Sequence, residues 1–279
     1  MNHFEKFDIR VFDRFIEKFA ERYIDQRSDF ACKIDEELLS KSESLGCDFK
    51  LDDLMKIIRQ NSVAVDSKRE GGKTPSVLND IYRSDLGELL TSYYFEEKIE
   101  ESRRFLIPIK NITYREKANM PGRGIDVIGY RKEDGKINVL LGEAKVSGEK
   151  KNPPAVVDQT KDSIYETQKT HHNNLAMVLE RLADYLKRMS SSSEHFIPIA
   201  GVVLNMTRGK SDSYEFTYGC GLVRDYTCVN GDLDYGKMKS KADEFIPGTV
   251  DFVIFSFTEK TIDETVQLFY QKTMELVRG

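Results

Sequence analysis

The chain has 279 residues, 39% of them hydrophobic, with 42 Lys plus Arg against 47 Asp plus Glu and a net charge of −5. That length supports one large domain or two small ones with a well-buried core, and the composition is too apolar for a disordered or collagen-like chain. The missing basic excess argues against a nucleic-acid coat or architectural protein, but leaves room for an enzyme with a locally charged cleft.

The amino terminus, MNHFEKFDIRVFDRF, has charges every few residues and no apolar h-region, so a secretory signal is not expected. No stretch approaches the roughly 18 apolar residues of a membrane span. Cys32, Cys47, Cys220 and Cys228 lack CxxC spacing, so buried free thiols are expected rather than a zinc framework. These features together predict a cytoplasmic protein without membrane association.

In chain order, Phe4, Phe7, Val11, Phe12, Phe15, Phe19 and Tyr23 recur at helical spacing and predict a helix over residues 4–26. A second helix is expected around Leu51 to Ile58. Residues 66–76, DSKREGGKTPS, are the most loop-like segment of the first third and form either a domain boundary or a mobile loop. The predicted division is a helical region over residues 1–70 and a second domain over residues 71–279. A long helix follows from Leu78 to Glu97, then strands at Phe105 to Ile109, Ile125 to Arg131 and Ile137 to Lys145. Residues 155–190 read as helical with a break near His171 to Asn174. Strands are expected at Ile197 to Leu204 and Val250 to Phe257, and a last helix from Ile262 to Val277. Strands interleaved with helices predict an α/β (α+β) fold, a central mixed sheet flanked by helices.

The chemistry concentrates in residues 122–145, GRGIDVIGYRKEDGKINVLLGEAK. Asp134-Gly135 between alternating apolar runs signals a two-residue hairpin of type I′. In that register Asp126 lies opposite Glu143, with Cβ atoms about 4.5–5.5 Å apart. Lys145, two residues on, shares their face. The rest of that face, Ile128 with Leu141 and Tyr130 with Val139, is apolar, which a solvated face would not be. Two opposed carboxylates repel, and Lys145 offsets only one of them. A divalent cation with hard oxygen ligands, Mg²⁺ or Mn²⁺, would offset the rest. Upstream, Glu88 is the only charge between Asp85 and Glu96, on a helix with a second face of Ser84, Thr91 and Phe95. It is expected to be partly buried and in want of a cation.

An acid on a helix, an Asp opening a strand and Glu-x-Lys closing the next strand resemble the PD-(D/E)xK nuclease superfamily. The matching residues are Glu88, Asp126 in GIDVIG, and Glu143-Ala144-Lys145 in LLGEAK; Gly124-Ile125 replaces the nominal proline before the Asp. Length, the GELL helix, GIDVIG and LGEAK are further similar to the nuclease subunit family of the Hachiman antiphage system, the HamA-like family. The resemblance implies a restriction-endonuclease-like core and a DNA nuclease working with a helicase. It implies Asp126, Glu143 and Glu88 as metal ligands and Lys145 as the group that orients the attacking water. A stand-alone restriction or repair endonuclease and a non-catalytic nuclease-fold binding subunit are the alternatives.

Other segments read plainly. EGGKTPS mimics the end of a P-loop, but the required first glycine falls at Ser67 and Pro75 interrupts the helix, so ATP binding is not expected. His171 and His172 are expected in solvent. Lys150, Lys151, Lys161 and Lys169 either follow a phosphate backbone or form an ordinary solvated surface with Asp158, Asp162 and Glu166. The amino-terminal aromatics either cap the core or dock a partner.

Overall fold

The computed structural model describes residues 1–28, 51–63, 76–115, 120 and 124–278. Six strands form one sheet: β1 (His3–Ile9), β2 (Leu106–Lys110), β3 (Val127–Glu133), β4 (Lys136–Ser147), β5 (Tyr214–Asp225) and β6 (Thr249–Phe257). Their spatial order is β1-β6-β5-β4-β3-β2. The β2–β3–β4 part is antiparallel, and β4, β5, β6 and β1 run parallel. Parallel strands need long crossovers and cover on both faces, which explains the near-continuous apolar runs of β5 and β6.

The helices supply that cover. Packed on one face are α1 (Asp13–Arg27), α3 (Ser76–Tyr93) and α9 (Ile262–Arg278), around Phe19, Leu86, Leu89, Val127, Leu140, Phe255 and Phe269. The opposite face carries α5 (Ser163–Asn173), α6 (Leu175–Arg188) and α7 (Phe196–Thr207), around Ile128, Leu141, Val178, Leu182, Ile199 and Leu222. The remaining described α-helices are α2 (Leu51–Ser62), α4 (Asn111–Tyr114) and α8 (Gly236–Ser240). The α/β class is as the sequence predicts, and α5 and α6 meet at Asn174, inside the expected break.

Three sequence expectations are corrected. Residues 4–26 are not one helix: His3–Ile9 is a strand paired in parallel with β6, from His3 opposite Asp251 to Ile9 opposite Phe257. Strand-like alternation and helical spacing overlap in this aromatic-rich run, and the free edge of β6 decides in favour of the strand. The sheet therefore includes residues that the predicted division placed in a separate helical region. Residue 70 itself lies outside the described residues, as does the loop over 66–75. Ile197 to Leu204 is helix rather than strand, since a short apolar run fits a buried strand or a helix equally well by periodicity. The missing strand is β5, whose Tyr214, Phe216, Tyr218, Cys220 and Leu222 alternate along one face. Finally, His171 is buried, with burial lowering its pKa to about 4, and His172 bonds the Tyr218 hydroxyl at 2.9 Å. Cys220 and Cys228 are buried free thiols, as expected.

Most of the amino-terminal aromatics pack in or against the core, Phe19 and Tyr23 fully buried, while Phe12 is exposed. The Tyr23 ring, wholly buried, packs edge-on to Phe269 at 5.4 Å, and Phe7 lies 6.3 Å from Phe255 on β6. Arg27 donates to the carbonyls of Ser62 at 2.8 Å and Ile112 at 2.6 Å, tying α1 to the chain that follows. Phe19→Ala should therefore cost about 3–5 kcal/mol, the range for truncating a buried aromatic. Urea denaturation measures it, and a loss below about 1 kcal/mol would show that the segment is dispensable to the core.

Candidate active site

The site is assembled where β3 begins and β4 ends. The Asp134-Gly135 turn adopts positive φ at both residues, 48° and 78°, as a type I′ hairpin requires. Ladder pairing runs from Glu133–Lys136 back to Val127–Gly142, which is the register read from the sequence. Asp126 lies one residue before the ladder, beside Glu143 in the same register. With no ladder bond to make there, its side chain accepts the Ala144 N–H at Oδ2, 2.8 Å away. That bond fixes the carboxylate against the strand carrying Glu143 and Lys145.

Glu143 and Lys145 project from the same face, and the Lys145 ammonium donates to Glu143 Oε1. The Glu143 side chain is 6% exposed and that of Lys145 is 33% exposed. The acid is thus buried while the ammonium reaches an open cleft of about 570 Å³ walled by Arg83, Ser84, Ser147, Gly148 and Asp225.

Glu88 arrives from α3. That helix can approach β4 closely because residue 87 is glycine; a Cβ there would stand 2.8 Å from a Val146 methyl. Glu88 is 3% exposed, as the sequence suggested. The Ser84 hydroxyl faces Glu88 Oε1 at 3.4 Å, Arg115 Nη2 is 3.9 Å from the same oxygen, and Oε2 has no hydrogen-bond partner. Two neighbours escaped the sequence reading. Asp85, one turn before Glu88, and Arg115, in a segment without a motif, form a fully buried bidentate pair, with Arg115 Nη1 donating to Asp85 Oδ2 at 3.0 Å. The i, i+3 spacing of Asp85 and Glu88 was the available signal for the first; nothing local announces the second.

Electrostatics bind these groups together. Burial, then Asp126 and Asp85, drive the Glu88 carboxyl well above its usual range, against the pull of Arg115. Burial and the Glu143 carboxylate raise Asp126 in the same way. Glu143 rises through burial, which outweighs its contact with Lys145. Burial opposes the Lys145 charge, yet Glu143 and Asp126 carry its pKa above that of an ordinary lysine. Four carboxylates, Asp85, Glu88, Asp126 and Glu143, share two cations, Arg115 and Lys145. Ionised, the cluster carries two negative charges in a buried place that no cation among the described residues offsets.

A divalent cation suits such an excess. Its fit has limits: among the described residues no group of three or more His, Cys, Asp or Glu could hold a metal ion. The donor set that remains is Asp126 with Glu143, and Glu88 with its unbonded Oε2 behind them. Two carboxylates completed by water and phosphate oxygens are an ordinary shell for Mg²⁺.

A six-stranded mixed sheet with a buried acid–lysine cluster at the carboxyl end of a parallel strand defines an α/β protein whose site lies where such sheets place ligands. The chain belongs to the HamA family, whose model matches residues 5–273, nearly its full length. That membership makes it a Hachiman-type defence protein. Neither a curated protein nor a solved structure matches the chain. No described helix is long and apolar enough to cross a membrane.

The sign of the coupling is testable without any activity. A carboxyl whose folded pKa is raised holds its proton in the folded state and releases it on unfolding. Metal-free stability must then fall as pH climbs above about 4, the ordinary carboxyl value. Asp126→Asn keeps an acceptor for the Ala144 N–H and removes the repulsion. In EDTA at pH 7.5 it should melt higher than the wild type, and the gap should close as pH drops toward 4. A variant that melts lower at neutral pH would mean that the Asp126 charge is fully compensated.

Proposed function

We propose that the chain is a Mg²⁺- or Mn²⁺-dependent deoxyribonuclease of the PD-(D/E)xK type, the hydrolytic member of a defence system in which a helicase is its partner. The observation that carries the proposal is the uncompensated buried charge of Asp126, Glu143 and Glu88 beside a lysine that reaches an open cleft. Membership of the HamA family and the order of the residues along the chain, helix acid, strand Asp and Glu-x-Lys, support it.

Each residue has a task set by its surroundings. Asp126 and Glu143 would hold the ion, and the Asp126 bond to the Ala144 N–H keeps both carboxylates pointed to one place. A divalent ion bound there supplies neutralisation of the charge that gathers on the scissile phosphate. Lys145 remains protonated, because its neighbours raise its pKa, so it acts as a donor rather than a base. Its ammonium hydrogen-bonds the attacking water and favours loss of a proton from it. Glu88 would take that proton in its ionised form, and the burial that penalises this form makes it a stronger base than an exposed carboxylate. Arg115, held by Asp85, stands 3.9 Å from Glu88 Oε1, the oxygen that also faces the Ser84 hydroxyl, and leaves Oε2 free for the proton.

Glu143→Gln and Lys145→Ala should each slow Mg²⁺-dependent cleavage of plasmid DNA by roughly 10²- to 10⁴-fold, the scale of losing a group engaged in proton transfer. The assay is run with and without the helicase partner, alongside circular dichroism to establish that the fold persists. Undiminished cleavage by either folded variant would contradict the assignment.

A further inference from the structure

The helix α6 places a tyrosine at the acid cluster and an arginine on each side of it. Arg181, Tyr185 and Arg188 stand at i, i+4 and i+7, a single face of the helix. Tyr185 is buried at 6% exposure, its ring 5.1 Å from Tyr114. Its hydroxyl lies directly over Gly124, two residues before Asp126: a Cβ there would be 3.2 Å from the phenol oxygen, and Gly124 has φ +133°. The missing side chain at Gly124 lets the hydroxyl approach the backbone two residues before Asp126. Among the described residues the phenol oxygen has no hydrogen-bond partner of its own. Burial lifts the phenol to about 12, with Arg181 and Arg188 acting against the rise and Asp126 and Glu88 acting with it. The hydroxyl thus sits within the field of both the acids and the arginines and stays protonated, a donor.

The arginines are available. Both are exposed, Arg181 makes no ion pair among the described residues, and Arg188 meets only Asp184 at 3.4 Å, an exposed contact of little strength. Arg181 and Arg188, seven residues apart, stand about 10 Å from each other along the helix at about 1.5 Å per residue, with Tyr185 between them, so the three side chains form a row along which a phosphate backbone can lie. A neutral donor flanked by two guanidinium groups offers phosphate oxygens hydrogen bonds and charge together.

We propose that Arg181, Tyr185 and Arg188 form the grip for the nucleic-acid backbone next to the scissile phosphate, with Arg181 and Arg188 on flanking phosphates and the Tyr185 hydroxyl at the entrance to the Asp126–Glu143 pair. The proposal rests on the nuclease reading above and gives that site its substrate-holding surface. It also places specificity in the phosphate backbone rather than in base edges, so the surface accepts any base sequence.

The test separates binding from cleavage. The full chain carrying Glu143→Gln is titrated with fluorescein-labelled 20-nucleotide single-stranded and duplex DNA in Mg²⁺, and anisotropy is read from low to moderate salt. Adding Arg181→Ala with Arg188→Ala should weaken binding and flatten the log–log salt dependence by about two, one for each phosphate no longer neutralised. Arg181→Lys with Arg188→Lys should keep that slope, and Tyr185→Phe should weaken binding with the slope unchanged. Lys136→Ala with Lys239→Ala, on exposed residues elsewhere, should leave affinity and slope as they were. If the parent binds DNA and the double arginine variant binds with equal affinity and slope, the grip is refuted while the nuclease reading stands. If the parent binds neither probe and the wild-type chain cleaves no DNA, with or without its partner, the nuclease reading falls and the grip falls with it.

Discussion

The structure turns on a shortage of positive charge. Carboxylates are rarely buried unless paired, and unpaired ones lose their charge instead of remaining ionised. Around Glu88, Asp126 and Glu143 the described residues bring only Lys145 and an Arg115 already engaged by Asp85. A core serving stability alone would have replaced such a group with apolar side chains at no loss. Arg224 is the contrast: it commits its guanidinium to Asp234, Asn152 and the carbonyls of Ser147, Glu149, Lys151 and Cys228.

The rest of the fold can be understood as the frame for that place. The I′ hairpin fixes the register that puts Asp126 beside Glu143, and parallel pairing of β4 with β5, itself paired with β6, places β4 inside the sheet. The close packing of Gly87 on β4 brings Glu88 in from one face of the sheet, while α6 covers the other with Tyr185 near Gly124. Rigid elements meet at the acids from three directions, and the cleft beside Lys145 is where solvent enters. Such a division, rigid scaffold and one open edge, is what preorganised electrostatics require.

Much of this was legible in the sequence, for physical reasons. A two-residue Asp-Gly turn dictates its register, so the approach of Asp126 and Glu143 and the shared face of Lys145 followed from counting along the strands. A lone glutamate in an apolar helical run announced the burial of Glu88. What stayed hidden depends on distant chain. Asp85 and Arg115 become partners only through the path of the chain from α3 through β2 to the end of α4, and Tyr185 reaches Gly124 only once α6 has folded across the sheet. The strand at His3–Ile9 was masked by aromatic spacing that also fits a helix, and its identity comes from an edge of β6 supplied by residues 249–257. The apolar run of α7 was ambiguous in the same way, its period too short to separate helix from strand.

On the proposed nuclease reading, the buried acids hold protons until a divalent cation takes their place. Binding of a divalent ion must then displace protons. Calorimetric titration of the metal-free full chain with Mn²⁺ at pH 7, repeated in buffers of different ionisation enthalpy, measures both the binding and the protons released. The account predicts saturable binding with net proton release, reduced in Asp126→Asn and in Glu143→Gln. Absence of binding, or binding that releases no protons and survives both substitutions, would contradict it.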